Sequence, residues 1–322
     1  INTLAICLDR GRYGELLDFY GGERDIQEKR IRVLHNLSFV EDPTRILRAV
    51  RFEQRLGFSI EERTAELIED ALDLLDNVTG ERLRHELYLL LEEAAPERAL
   101  ERLDYLGVLA HLHPSLSFTR PTATLFARLR QRFAENGSAV QREVAPGEAH
   151  EEDEDTEPAP MLSLCYLALL TSGLKAEELD TLAAHLRLRG HDTRFLHEVL
   201  RLRELLSALG ATAMLPSSLY RLLEPFSRES RFVLSVLTDS PRVLQRLETF
   251  DKTLSRVQPR VNGEYLRKLG VPPGPIYGEI LTRLRDAVLD QQVTSLEDEC
   301  ALAQSLARFA LNDAIRDAKP QR

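Results

Sequence analysis

The chain lacks the features that mark membrane, disulfide-rich and zinc-binding proteins. No run of about 18 apolar residues is available to cross a bilayer. Its three cysteines, Cys7, Cys165 and Cys300, lie far apart and form no Cys-x-x-Cys pair, which argues against a disulfide framework and a zinc site. With 43% hydrophobic and 29% charged residues over 322 positions, the composition predicts a globular chain of two or three small domains. A reducing cytoplasm is the expected location.

The net charge is concentrated in one segment. Between Asn136 and Pro160, eight acidic residues accompany a single arginine, so this stretch carries −7 of the total charge of −10. The segment is rich in Gly and Pro and poor in apolar side chains, which predicts a disordered acidic insert at about 136–160. The remaining chain can still present a basic face to nucleic acid, because phosphate contacts depend on where Lys and Arg cluster.

The first 35 residues have the pattern of short strands. Apolar runs at Thr3 to Leu8 and Glu15 to Tyr20 flank a turn-like Asp-Arg-Gly-Arg cluster and predict a β-hairpin. A third strand is predicted at Ile31 to Leu34, after a short helix. Two or three strands are not stable alone, so residues 1–35 are interpreted as the edge of an α/β domain. The first residue is Ile and no leader follows it, so we expect further chain upstream.

From Glu41 onward, apolar residues recur at helical spacing almost throughout, and the predicted fold class is mainly α. No strict repeat period is present. A Gly/Pro-rich loop near residue 270 separates two further helices, and a last helix is predicted from about Ser295. The other predicted helices span Glu61 to Leu75, Gly80 to Glu92, Pro96 to Leu106, Met161 to Leu170, Glu177 to Leu188, Arg194 to Leu209, Ser217 to Leu223, Arg231 to Leu237 and Arg242 to Leu254.

The stretch from Phe39 to Phe52 is the most informative part of the sequence. Pro43 suits the first turn of a helix, where a missing N–H costs nothing. Glu41 and Asp42 suit the positive end of the helix dipole just ahead of it. A helix is therefore predicted to start here.

Four charged residues, Asp42, Arg45, Arg48 and Arg51, are spaced by three and form a slanting stripe on this helix. The carboxylate and the first guanidinium offer an acceptor for an exocyclic amino group beside a donor fork for a ring nitrogen or carbonyl, as base recognition requires. Arg48 and Arg51 could meet phosphates. The alternative is an ordinary surface helix with ion pairs three residues apart, which Asp-x-x-Arg alone does not exclude.

The whole string resembles the class II tRNA nucleotidyltransferase and poly(A) polymerase family. Its motif, Glu-Asp-Pro-x-Arg-x-x-Arg-Ala-x-Arg-Phe followed by Leu-Gly-Phe, is matched by Glu41 to Phe52 and Leu56 to Phe58. Ile1 to Ala5 is similar to the end of the family's Arg-Arg-Asp-Phe-Thr-Ile-Asn-Ala motif. Leu17 to Asp25 resembles its Asp-Pro-Phe-Gly-Gly-x-x-Asp-Leu segment, with Phe-Tyr in place of Pro-Phe. Only the first of these matches is specific by itself.

Two later segments extend the resemblance. Arg82 to Glu86 is similar to the helix that buttresses the family's neck, and Asn262 to Leu281 to its tail. The family plan implies a head remnant at 1–35, a neck at 36–107, a body at 108–257 and a tail at 258–322. The fold implied is thus mainly α: helical neck, body and tail domains preceded by the last β-strands of a nucleotidyltransferase α/β head.

The resemblance also implies roles for the residues of the motif. Asp42 and Arg45 would pair with the incoming base without a template, Glu41 would hold Arg45, and Arg48 and Arg51 would complete the nucleotide site. The supporting residues would be Asn2, Asp18, Arg82 and Glu86. The substrates would be ATP, with CTP as a second candidate, and the partner would be a tRNA acceptor arm or another RNA 3′ end.

The family's catalytic Mg²⁺ ions are held by two carboxylates of an upstream strand in the head domain. The only Asp-x-Asp here is Asp153-Glu154-Asp155, which falls in the acidic insert and on no predicted strand. No catalytic or metal-binding residue is therefore assigned to this chain, which alone is not expected to extend RNA.

The expected function is the template-independent addition of CCA or a terminal A to tRNA 3′ ends, this chain supplying base recognition and RNA binding. Two alternatives stay open. One is a non-catalytic helical RNA-binding or scaffold module, and the other is poly(A) polymerase activity on other RNAs. Members with these products share the neck motif, so the product stays undetermined.

Other polar pairs and aromatics are interpreted as structural. His191-Asp192 lacks the further ligands of an HD phosphohydrolase, and Asp192 suits a helix cap. His111 and His113 are expected to be exposed loop residues without a third metal ligand. Four aromatic residues on apolar faces are expected in the core: Tyr88, Tyr105, Phe126 and Phe133.

Overall fold

The computed structural model describes residues 3–136 and 161–317, which are mainly α-helical as the sequence predicts. Ile1, Asn2 and nearly all of the predicted acidic insert lie outside the described residues. The chain divides into two compact units, residues 1–203 and 204–322, which are described separately below. The division into head remnant, neck, body and tail remains a prediction. No helix within the described residues is long and apolar enough to cross a membrane.

The first unit begins with the predicted hairpin. Strands β1 (Leu4–Ile6) and β2 (Leu16–Asp18) pair antiparallel, and helix α1 (Gly22–Gln27) follows. The third strand, β3 (Arg30–Ile31), lies earlier and is shorter than predicted. It pairs in parallel with β4 (Ser59–Ile60), which the sequence did not reveal. Two residues are too few for a strand pattern, and their partner is far away in the chain.

Ten further α-helices begin within the described residues of the first unit. The predicted single helix from Glu61 to Leu75 is wrong: an α-helix ends at Glu69 and a separate turn of 3-10 helix covers Leu72–Asn77. Asp and Asn are frequent in this stretch and compete for backbone hydrogen bonds, which favours turns. The helices are α2 (Ser38–Glu41), α3 (Arg45–Leu56), α4 (Glu62–Glu69), α5 (Gly80–Leu91), α6 (Pro96–Tyr105), α7 (Val108–Leu112), α8 (Arg120–Asn136), α9 (Met161–Thr171), α10 (Ala176–His185) and α11 (Gly190–Glu204).

The apolar side of α3 forms part of the first unit's core. Ile46, Leu47 and Val50 are almost completely buried, and α3 packs on α5 and α6. The polar side of the same helix is therefore held in a fixed orientation, which positions the charged stripe described below.

The four predicted core aromatics differ in their burial. Phe126 is buried as predicted and packs edge-on to Phe118 at 5.3 Å between ring centroids. Tyr88 and Phe133 are each half-buried. Tyr105 is 80% exposed, so its assignment to the core is wrong. It is the last residue of α6 and points away from the packed side of that helix.

The histidine predictions also need correction. His113 is buried, and its Nδ1 accepts a hydrogen bond from the backbone N–H of Ser115 at 3.2 Å. His111 lies within α7, 3.9 Å from a carboxylate oxygen of Asp73 and 3.8 Å from one of Asp76. The expectation of two exposed loop histidines is wrong, because α7 contains His111 and packs against the 3-10 helix Leu72–Asn77, and His113 is the buried residue directly after α7.

Asp192 lies inside the first turn of α11 and is 1% exposed, with Nε2 of His191 at 2.7 Å from its Oδ1. It is thus a buried acid within the helix and not a cap ahead of it. Within the described residues, no group of three or more His, Cys, Asp or Glu residues could hold a metal ion.

All secondary-structure elements in the described part of the second unit are helices. Its last helices enclose an apolar core that includes Leu266, Ile280, Leu284 and Ala303. The predicted helix from Arg194 to Leu209 is interrupted at Leu205. The helices are α12 (Leu206–Leu209), α13 (Pro216–Leu223), α14 (Arg228–Leu237), α15 (Pro241–Lys252), α16 (Gly263–Lys268), α17 (Pro275–Leu289) and α18 (Leu296–Asp317).

Candidate base-recognition site

The corner between α2 and α3 differs from the continuous helix start that the sequence predicts. Glu41 is the last residue of α2, Asp42 is extended at φ −150° and ψ 93°, and α3 begins at Arg45. Pro43 and Thr44 therefore form a turn between two helices. The carboxylate of Asp42 accepts hydrogen bonds from the backbone N–H of Thr44 at 3.2 Å and from its hydroxyl at 2.7 Å. An Asp side chain that binds the backbone two residues later stabilises such a turn in place of a helix.

Asp42 is held from a second direction by α5. Nη2 of Arg82 donates to Oδ1 of Asp42 at 2.9 Å, and the Asp42 side chain is 20% exposed. Partial burial acts to raise the pKa of Asp42, but the hydrogen bonds from Thr44 and the charge of Arg82 outweigh it, and the pKa is lowered. The carboxylate is therefore ionised and fixed in orientation at neutral pH.

Arg45 lies beside Asp42 at the first turn of α3. Its Nη1 donates to the carbonyl oxygen of Ser38 at 3.1 Å and lies 3.5 Å from Oε2 of Glu41. Its Nε is 4.0 Å from Oδ2 of Asp42, and the side chain is 42% exposed. Carbonyl and carboxylate oxygens thus hold one edge of the guanidinium, while much of its surface remains open to solvent.

The two later arginines of the stripe have different surroundings. Arg48 is half-buried on α3. Arg51 is 11% exposed, lies 3.9 Å from Oε2 of Glu86 and stands over the ring of Phe52 at 5.4 Å. The structure therefore brings Arg51 and Glu86 together between α3 and α5, and little of the Arg51 surface is left for a phosphate.

Asp18 binds the backbone at the start of helix α1. Its carboxylate accepts from the backbone N–H groups of Gly22 at 2.8 Å, Glu23 at 3.0 Å and Tyr20 at 3.2 Å. These bonds, that of Glu23 foremost, lower the pKa of Asp18. They satisfy the N–H groups that open α1. The other predicted supporting residue of this region, Asn2, lies outside the described residues.

Three residues of the site were not predicted from the sequence. Thr44 and the carbonyl of Ser38 hold Asp42 and Arg45, and Nε2 of His35 lies 3.7 Å from Oε2 of Glu41. Thr44 has a local signal, because an acid two residues before a Thr is typical of such turns. Ser38 and His35 act through contacts that no local pattern indicates.

Comparisons with known proteins identify the family to which the chain is similar. Residues 57–119 match the family model described as "Probable RNA and SrmB- binding site of polymerase A". An A-adding tRNA nucleotidyltransferase from Geobacter sulfurreducens is 34% identical over 96% of this chain. The chain spans only 34% of that relative's length.

A solved CCA-adding enzyme in complex with ATP is 30% identical, with a TM-score of 0.72 over 95% of this chain and 70% of that structure. The chain belongs to the tRNA nucleotidyltransferase family. This confirms the resemblance that the neck motif indicated. Another member of the family, the Thermotoga maritima CCA-adding enzyme complexed with tRNA, has 29% identity and a TM-score of 0.69 over 94% of this chain and 70% of its own.

Proposed function

We propose that this chain provides base recognition and RNA binding in an enzyme that adds nucleotides to tRNA 3′ ends without a template. The observation that carries the proposal is the pair formed by Asp42 and Arg45, an ionised acceptor beside a partly exposed donor fork. Similar solved structures contain ATP, CTP or tRNA. By analogy, the proposed substrates are ATP and CTP and the proposed partner is the acceptor arm of tRNA.

The chemistry of this pair favours adenine and cytosine over guanine and uracil. Adenine and cytosine each present an exocyclic amino donor beside a ring-nitrogen acceptor on the Watson–Crick edge. Asp42 accepts from the first group and Arg45 donates to the second. Guanine and uracil present a carbonyl and a ring N–H in the same places. They would set acceptor against acceptor and donor against donor, which rejects them.

The neighbours of the pair keep it in this state. Arg82 and Thr44 hold the carboxylate ionised and oriented, and Glu41 with the Ser38 carbonyl orients the guanidinium. A recognition group that is held before the ligand arrives loses less conformational freedom on binding. The four contacts therefore support a preorganised site.

The family implies Mg²⁺, but the described residues contain no group of acidic or histidine ligands that fits a metal ion. We assign no metal ligand to this chain, and no step proposed here passes through a metal.

We propose that the protein is located in the cytoplasm, which the free thiols of Cys7, Cys165 and Cys300 favour.

The proposal is tested by Asp42→Asn in an enzyme form that contains this chain together with a catalytic head. The amide replaces one acceptor by a donor, so incorporation of ATP and CTP should fall relative to GTP and UTP. The matched control is Asp70→Asn, at an exposed acid just after α4. The measurement is kcat/KM for each of the four nucleotides on one tRNA. Equal selectivity in both variants would favour the scaffold alternative, in which Asp42 only packs against α5.

A further inference from the structure

Helix α5 has two polar faces that contact different parts of the first unit. Arg82 and Glu86 face the α2–α3 corner and α3, where they meet Asp42 and Arg51. At about 100° per residue, positions 80, 84 and 88 lie on the opposite side of the helix. This second face meets the end of α10, the start of α11 and the residues between them, numbers 185–192, here called the α10–α11 joint.

The second face is tied to the joint by polar contacts. Nη1 of Arg84 donates to the carbonyl oxygen of Arg187, and the Arg187 side chain in turn lies 2.9 Å from Oε1 of Glu81. Arg187 has a φ of +47°, a left-handed conformation that non-glycine residues rarely adopt. Such a conformation persists where surrounding contacts determine it. The bond from Arg84 to this peptide is one of those contacts.

The backbones of α5 and the joint also approach closely. A Cβ atom at Gly80 would lie 2.0 Å from the carbonyl oxygen of His185, so only glycine allows this packing. At the other end of the face, burial and the nearby Asp192 carboxylate raise the pKa of Tyr88, which keeps its hydroxyl neutral. The close approach at Gly80 and the hydrogen bond from Arg84 therefore hold α5 against the joint.

We propose that Arg84 is a positioning residue for base recognition: it fixes α5 on the α10–α11 joint, and α5 then holds Arg82 on Asp42. The 2.9 Å bond between Arg82 and Asp42 tolerates only small displacements, since hydrogen bonds weaken steeply beyond about 3.2 Å. The effect of Arg84 on base recognition rests on the proposed function. The effect of Arg84 on the contact between Arg82 and Asp42 is independent of that function.

The first experiment measures the position of α5 without any enzymatic assay. In the 322-residue chain labelled with carboxyl-¹³C aspartate, the pKa of Asp42 is followed by NMR titration and assigned with Asp42→Asn. Arg84→Met should raise the pKa of Asp42, because Arg82 moves away from the carboxylate. Arg84→Lys keeps a donor for the Arg187 carbonyl and should restore the lowered pKa.

The matched control is Arg63→Met. Arg63 is an exposed arginine that pairs only with Glu66 of its own helix among the described contacts, at 2.6 Å. The pKa of Asp42 should be unchanged in this variant. An unchanged pKa in folded Arg84→Met would overturn the proposal. Gly80→Ala provides a second displacement of α5, and it should raise the pKa of Asp42 in the same direction.

The second experiment tests the functional step in an enzyme form with a catalytic head. Arg84→Met should lower the preference for ATP and CTP over GTP and UTP by about tenfold, as expected when a recognition group is displaced by a fraction of an ångström. Arg84→Lys should recover it, and Arg63→Met should not change it. A merely stabilising role would lower the Tm of Arg84→Met and leave selectivity intact, which would contradict the proposal. If Asp42→Asn itself leaves selectivity intact, the proposed function fails, whatever the NMR result.

Discussion

The substitution Arg45→Lys separates the charge of the base-recognition site from its geometry. The guanidinium of Arg45 donates through Nη1 to the carbonyl of Ser38 and lies near two carboxylates, while 42% of the side chain remains exposed. A lysine keeps the positive charge but has one mobile ammonium in place of a planar fork. That ammonium would be drawn to Glu41 or Asp42 and could not also present a directed donor to a base.

The expected loss follows from these contacts. A bidentate contact to a base edge contributes about 1–3 kcal/mol of discrimination. The Ser38 and Glu41 contacts hold one edge of the fork, so the donors left for the base are those that lysine cannot replace. We expect a loss of about 2 kcal/mol, or roughly 30-fold, in the preference for ATP and CTP over GTP and UTP. Affinity for tRNA should change little, because the proposed role of Arg45 is to contact the base of the nucleotide and not the phosphates that dominate affinity for nucleic acid.

The assay compares kcat/KM for the four nucleotides with a tRNA-binding titration at fixed salt. Arg55→Lys is the control, since Arg55 belongs to the same helix, is 57% exposed and lies 3.6 Å from Glu93. Both quantities should be unchanged in the control. If Arg45→Lys keeps its selectivity but loses tRNA affinity, Arg45 contacts phosphate and the base-recognition role belongs to other residues.

Three further predictions concern the packing that supports the site. The buried carboxylate of Glu53 accepts hydrogen bonds from the backbone N–H of Ile60 at 2.8 Å and from Nε of Arg102 at 3.0 Å. Glu53→Leu leaves both donors without an acceptor, so the free energy of unfolding measured in urea should fall by about 2–4 kcal/mol, more than in Glu53→Gln. Phe126→Ala removes a fully buried ring and should cost about 3–5 kcal/mol in the same assay, whereas a loss below 1 kcal/mol would mean that the core relaxes around the cavity. Because the pKa of Asp42 is lowered by folding, its contribution to stability is present above its unfolded pKa and is lost as pH falls through its folded pKa. Arg82→Met should raise the pKa of Asp42 in the folded state and so narrow the pH range over which Asp42 stabilises the fold. If the free energy of unfolding depends on pH identically in the variant and the parent, the role of this ion pair is contradicted.

Local sequence patterns predicted much of the fold. The period of apolar residues located most helices to within a few residues, and two short apolar runs around a turn-like cluster located the hairpin of β1 and β2. These signals are reliable because the face of a helix or strand on which a side chain lies depends only on its position along the local backbone. The interruption after Glu69 and the short strand Ser59–Ile60 were missed, since they depend on turn chemistry and on a partner strand elsewhere.

The candidate site also combines features that the local sequence predicts with features that only the tertiary structure decides. The short separation of Asp42 and Arg45 along the chain predicted a carboxylate beside a guanidinium, but Asp42 lies in the turn ahead of α3 and not on that helix as predicted. The tertiary structure decided which groups surround these side chains. Arg82 binds Asp42 across 40 positions of sequence, and Arg51 is largely buried beside Glu86. Only packing of α5 between two parts of the first unit creates these contacts. Spacing along the chain determines which side chains share a helix face, but contacts between distant segments depend on how the whole core packs.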